Sequence, residues 1–228
     1  MGVTLIPGVE LSVLDATRHL HLLGYMFDHQ DRNFLNSLGR LQEGRERRNS
    51  QILYKLNELG FPVDAEELAL SSGHGQCGRP HIARILVQKG WVKTMDIAFR
   101  EYLGQGKPAY CSRFLYRLEE AIDILHDAGG IAVLAHPLQL GVDERELESV
   151  LRRLKIVGLD GVEVYYPTHS KKFRKKLCLL AEKLGLLKSG GSDYHGSIRP
   201  GTTLAGRRNM SVPDAYLQAI LQRTTHKE

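Results

Sequence analysis

The segment GGSDYHG sets Asp193 and His195 two residues apart, directly behind Gly190 and Gly191. In extended backbone alternate side chains share a face, so this carboxylate and imidazole would point the same way. The glycines would leave room for something to come close. The plainer alternative is a glycine turn with an Asx-type hydrogen bond and a surface histidine. Other polar residues interrupt apolar runs: Glu10 in VTLIPGVELSVL, His21 in RHLHLLGYMF, His136 in IAVLAHP and Glu163 in DGVEVYYP. A single histidine in such a place is more often a hydrogen-bonded core residue, and a single carboxylate more often a helix cap. The set is harder to explain away, because clustered ionisable groups are costly to bury without compensation. Divalent cations compensate all of them at once. Imidazole with carboxylate and no thiolate suits Mn²⁺, Fe²⁺ or Zn²⁺.

The elements that must position these residues follow from hydrophobic periodicity. Two strand patterns cover the first 27 residues. The period then turns helical from Arg32, with Phe34, Leu38, Leu41, Ile52, Leu56 and Leu59 near a 3.6 spacing, until Gly60 and Pro62 stop it. DAEELAL, RPHIARILVQKG and TMDIAFREYLG read as further short helices, so 28–114 is an all-helical block. From Leu118 helices alternate with strands, which implies parallel strands joined by crossover helices, an α/β layer or barrel. Glu10, His21, His136, Glu163, Asp193 and His195 then fall at strand ends. In a (β/α) barrel the C-terminal strand ends meet at one face, where such enzymes keep their chemistry.

Composition narrows the class. A chain of 228 residues with 42% hydrophobic and 25% charged residues is an ordinary globular protein. No apolar run approaches the ~18 residues of a membrane span, and the first ten residues do not resemble a signal peptide. Cys77, Cys111 and Cys178 are odd in number and scattered, so no disulfide framework is expected and a reducing, cytoplasmic setting is. The net charge of +5 leans towards polyanionic partners. The basic runs RLQEGRERR and HSKKFRKK are expected to be solvated helix faces.

IPGVELS, HLLGY, GRPHIA, AHP, GVEVYYP and GGSDYHG stand in an order that resembles the polymerase-and-histidinol-phosphatase (PHP) family of metal-dependent phosphoesterases. The branch it is most similar to carries a helical insertion and contains 5′→3′ exoribonucleases and 3′,5′-nucleotide bisphosphate phosphatases. RERRNSQI and AFREYLGQGKPAY extend the resemblance through that insertion. It implies a distorted (β/α)₇ barrel formed by 1–27 and 115–228, with 28–114 as the inserted helical subdomain. Two or three divalent metal ions are implied, Mn²⁺ foremost, with Zn²⁺ or Fe²⁺ as alternatives. Glu10, His21 and His136 would hold one ion, with Glu10 bridging to a second, and Asp193 and His195 would contribute to the others. Glu10, Asp193 and His195 are thus the expected catalytic residues. Arg79 and His81 of GRPH, with Arg199, would meet the substrate phosphate. The implied partner is RNA or a small phosphorylated nucleotide, with no membrane involved.

The family pattern opens with a strand carrying His-x-His and a nearby aspartate, followed by an Asp-His pair. Here Met1 falls almost on the third strand, so the expected barrel lacks its first strands and those ligands. The alternative function is therefore a catalytically impaired, truncated PHP domain acting as a nucleic-acid-binding or scaffold protein. Arg45, Arg48 and the KKFRKK run would then supply phosphate contacts.

Overall fold

The computed structural model describes residues 5–72, 77–196, 203–204 and 211–225. They divide into two compact units, 1–35 with 116–228, and 36–115. The class is mixed α/β, as the sequence pattern implies.

The first unit is built on six strands: β1 (Gly8–Asp15), β2 (Arg18–Tyr25), β3 (Tyr116–Arg117), β4 (Ile131–Leu134), β5 (Gly161–Tyr165) and β6 (Leu187–Gly190). They form one sheet in the order β3-β1-β2-β4-β5-β6. Parallel pairing holds for β4, β5 and β6, as alternation with helices demands. The first two strands instead form an antiparallel hairpin, and β2 runs antiparallel to β4. Only two residues, Ala16 and Thr17, separate β1 from β2. That is too few for a crossover, so the hairpin is forced by loop length.

Strand alternation gives the sheet two faces. Leu11, Val13, Leu20, Leu22 and Leu134 are buried, as are Leu118, Ile122 and Leu125 of α5 (Leu118–Asp127). Each such side chain removed from water contributes about 2 kcal/mol. Gly24 of β2 lets α5 come close, because a Cβ there would lie 2.3 Å from a Leu125 methyl. The other face carries Glu10, Leu23 and Val133, which the register aligns across three strands. Ile220 of α8 (Asp214–Thr225) packs on that second face with Ile131 and Val133. Helices α6 (Glu144–Ile156) and α7 (Lys171–Leu184) are capped by Asp143 and Ser170, whose side chains accept from Glu146 N and Phe173 N.

The second unit holds most of α1 (Arg32–Glu58), then α2 (Ala65–Ser72), α3 (Arg79–Gln88) and α4 (Met95–Ala98), the last running on as a π-helical turn, Phe99–Leu103. Ile52, Leu56, Ile82, Leu86 and Leu103 form its own core. No helix of the described residues is long and apolar enough to cross a membrane.

Candidate metal centre

Glu10 and His21 meet through sheet register. Glu10 is paired with Leu23, and His21 lies two residues before Leu23 on β2, a diagonal neighbour on the same face. Both sit within their strands rather than at strand ends, which corrects the expectation from sequence. Their side chains reach the end of β4 because β2 runs past it, with Ala135 N donating to His21 O. His136 follows that strand by two residues. Its φ of 29° lies in the left-handed region, an uncommon conformation for a residue with a side chain. Glu163 of β5 holds it there by accepting from His136 N at 2.8 Å.

The three side chains converge. His21 Nδ1 lies 2.7 Å from Glu10 Oε1, and His136 Nε2 lies 3.2 Å from that same oxygen. The two ring nitrogens are 3.1 Å apart. Two nitrogens bound at ~2.1 Å to one tetrahedral metal would be separated by roughly 3.4 Å, so the set needs to open only slightly around a cation. All three ligand atoms lie within 4.8 Å of one another, the spacing of a metal site. Two imidazoles and a carboxylate fit Mn²⁺, Fe²⁺ or Zn²⁺. Hydrogen bonds from His136 and His21 hold the Glu10 carboxyl far below the usual carboxylate range, so it stays ionised. Burial pulls His136 down, but the hydrogen bond and charge of Glu10 outweigh it and leave His136 raised. Burial pushes Glu163 up to about 7, against the pull of its hydrogen bond from His136 N.

Asp193 and His195 stand apart from this cluster of three. The extended-backbone expectation fails for them: β6 ends at Gly190, and Asp193 has φ 48°. They still meet, by turn geometry rather than strand alternation. His195 Nδ1 is 2.9 Å from Asp193 O and 3.2 Å from its Oδ1. The glycines do not both leave room either. A Cβ on Gly190 would lie 2.4 Å from Tyr165 Cβ and 2.8 Å from Tyr165 O, so β6 is packed tightly on β5 there. Gly190→Ala is expected to destabilise the unit by about 1–3 kcal/mol in urea unfolding, since backbone atoms must move; an unchanged midpoint would contradict that packing.

Tyr166 was not legible as a site residue. Its hydroxyl donates to Asp193 Oδ2 at 2.7 Å and accepts from Gln139 Nε2 at 3.2 Å. Its ring also lies 5.4 Å from that of His136. It therefore ties Asp193 to the histidine cluster. His169, buried and bonded through Nδ1 to Val164 O, also packs on Tyr166, with ring centroids 5.3 Å apart. The only signal available was a polar aromatic residue just beyond an apolar strand, and contacts 27 residues away carry no local mark.

Of the remaining site candidates, Arg79 and His81 belong to the helical unit. Arg79 Nη1 donates to Leu103 O, and Gly78 N donates to His81 Nδ1, capping α3. Burial lowers the His81 pKa, and because Nδ1 accepts from Gly78 N, the ring's proton is carried on Nε2. Arg199 lies outside the described residues. His19 is exposed on β2 and takes no part in the cluster. The α7 run HSKKFRKK is a mostly exposed basic face with Lys176 paired to Glu144, as expected of a solvated helix. The run in α1 is not: Arg48 is buried.

No family model matches the chain. It is 35% identical over 195 residues to a 5′-3′ exoribonuclease of Haemophilus influenzae, covering 86% of this chain and 71% of that one. A 3′,5′-nucleoside bisphosphate phosphatase of Chromobacterium violaceum is 33% identical over 195 residues, with 85% and 68% covered. Among solved structures, a candidate metal-dependent phosphoesterase from Bifidobacterium adolescentis superposes with a TM-score of 0.78 at 26% identity, covering 96% of this chain and 76% of that one.

Proposed function

This chain belongs to the PHP family of metal-dependent phosphoesterases, and on that premise we propose that it hydrolyses nucleoside 3′,5′-bisphosphates or the 5′ ends of short RNA. The observation that carries this reading is the convergence of Glu10 Oε1, His21 Nδ1 and His136 Nε2 on one point. These residues would hold a divalent cation, with Mn²⁺ the first choice. Asp193 and His195 would contribute to a further ion. Such ions lower the pKa of a bound water towards ~7 and offset charge on phosphoryl oxygens.

The chain's own residues prepare the site. Glu10 enters as a carboxylate at any physiological pH. Glu163 fixes the backbone of His136, and so the direction of its ring. Tyr166 fixes one oxygen of Asp193 and leaves the other to His195. Arg79 would neutralise phosphate charge on the substrate, and His81 would donate to it through Nε2. Both activities fit one site, since a terminal phosphate can serve as the anchor in each. The free thiols of Cys77, Cys111 and Cys178 support a reducing, cytoplasmic setting.

The test incubates the chain with adenosine 3′,5′-bisphosphate and with a 5′-phosphorylated oligoribonucleotide, in Mn²⁺ and in EDTA. Release of phosphate or of 5′ mononucleotides in Mn²⁺, abolished by EDTA and restored by Mn²⁺, is expected. A chain that binds Mn²⁺ and leaves both substrates intact would overturn the reading.

A further inference from the structure

Helices α7 and α8 and the end of β5 enclose a cleft of about 430 Å³, to which Tyr165, Lys171, Arg174, Lys175, Cys178 and Tyr216 contribute. The four from α7 are spaced three or four residues apart and so share one face of that helix. Neither lysine is paired with an acid among the described residues. Glu182, at the same cleft, is paired with Lys188, and Glu144 with Lys176. Arg174 is held in place: its Nε donates to His169 O at 3.0 Å, and its guanidinium lies 5.2 Å from the centre of the Tyr165 ring. Tyr216 meets that ring edge-on, with centroids 5.9 Å apart.

The cleft adjoins the candidate metal centre. A register shift between β5 and β6 sets Tyr165 opposite Gly190, where strict alternation would place Val164. Tyr165 O accepts from Gly191 N at 2.9 Å, and the next residue, Tyr166, donates to Asp193. One residue therefore separates the cleft from the hydroxyl that anchors Asp193.

Cations one helical turn apart have Cβ atoms about 5–6 Å from each other, near the separation of successive phosphates along an extended single strand. A basic track interleaved with aromatic rings and a fixed guanidinium plane grips single strands through their phosphates and base faces. A lone phosphate would leave the rings and one lysine unused. An acidic peptide would use the cations alone.

We propose that this cleft binds single-stranded RNA, taking up the nucleotides that trail a 5′ end held at the metal centre. Lys171, Arg174 and Lys175 meet successive phosphates, and bases lie against Tyr165, Tyr216 and the Arg174 plane. This deepens the phosphoesterase reading and rests on it only for the choice of RNA as the strand. Binding is measured without metal or turnover, so the two fail separately.

The probe is a 5′-phosphorylated decauridylate with fluorescein at its 3′ end, titrated with the whole chain in EDTA and followed by anisotropy. Lys171→Gln/Lys175→Gln is expected to weaken binding about tenfold at low salt and to flatten the slope of log K against log salt by about 1.4. Lys172→Gln/Lys176→Gln removes the same charge from α7 at positions that do not line the cleft. It is expected to keep the affinity within about twofold of the parent. All four lysines are exposed, so both variants should fold as the parent does. Saturating probe is also expected to slow alkylation of Cys178 by iodoacetamide several-fold, read by peptide mass spectrometry. The proposal is overturned if Lys171→Gln/Lys175→Gln binds as tightly as the parent, or if both double variants weaken binding equally, which would assign the effect to net charge. It is equally overturned if RNA leaves the Cys178 rate unchanged. An oligoglutamate of matched charge that displaces the probe at equal concentration would also overturn it, assigning the cleft to acidic protein segments.

Discussion

Glu10→Ala is expected to empty the chain of tightly bound divalent metal and to lower phosphoester hydrolysis by about 10³-fold. The carboxylate oxygen Oε1 is the point shared by both imidazoles, at 2.7 and 3.2 Å. Without it, the two imidazoles lose the carboxylate that bonds to both of them and would share the cation. Elemental analysis after gel filtration reads the metal, and hydrolysis in excess Mn²⁺ reads the activity. The folded unit should survive, because Glu10 is partly exposed and its apolar neighbours on the opposite face are untouched. A variant that keeps its metal, or that loses metal only because it unfolds, would remove Glu10 from the site. The acid limb has a definite sign. A carboxyl held low in the folded state contributes stability above its unfolded value near 4.5, and that contribution is lost as pH falls towards the folded value. Metal-free parent should therefore lose more stability on acidification than Glu10→Ala does.

Glu163→Gln carries the second large effect, and its sign is opposite. Burial raises this carboxyl from 4.5 to about 7, so the folded chain binds a proton that the unfolded chain releases. Stability then falls as pH rises from 4.5 through 7, and the penalty is complete above 7. A shift of this size corresponds to about 3 kcal/mol. Metal-free Glu163→Gln should thus be more stable than the parent by about that amount at pH 8, with the difference shrinking to near zero at pH 4.5. The amide oxygen can still accept from His136 N, so the backbone at φ 29° keeps its support. Urea unfolding at pH 4.5, 6 and 8 measures the difference. A gap that stays constant with pH, or a parent that is the more stable at pH 8, would show that Glu163 is ionised at no cost. Bound cations would themselves favour the carboxylate, so the gap should narrow when Mn²⁺ is added.

Much of this molecule was written in short stretches of sequence. The helical period from Arg32 became a helix ending at Glu58, one turn before Pro62, because repeat spacing and breakers act locally. The apolar runs before His136 and around Glu163 became β4 and β5 for that reason. The ordered motifs identified the family, and with it Glu10, His21 and His136 as partners. What local pattern could not supply was direction. The same Asp-x-His spacing that predicts a shared face on a strand is realised here in a turn, where Asp193 adopts φ 48°.

Sequence alone determined which residues carry charge, where strands and helices run, and which family's chemistry they serve. Tertiary structure decided how they meet. Register put Glu10 diagonal to His21 instead of at a strand end, and packing placed Tyr166 on Asp193 and Glu163 beneath His136. It also turned Arg48 inward from a run that reads as a solvated face. The physical reason is common to all of these. Periodicity records a preference of each residue for its near neighbours, whereas burial, desolvation and ligand geometry depend on distances between residues many tens of positions apart, which exist only once the chain has closed on itself.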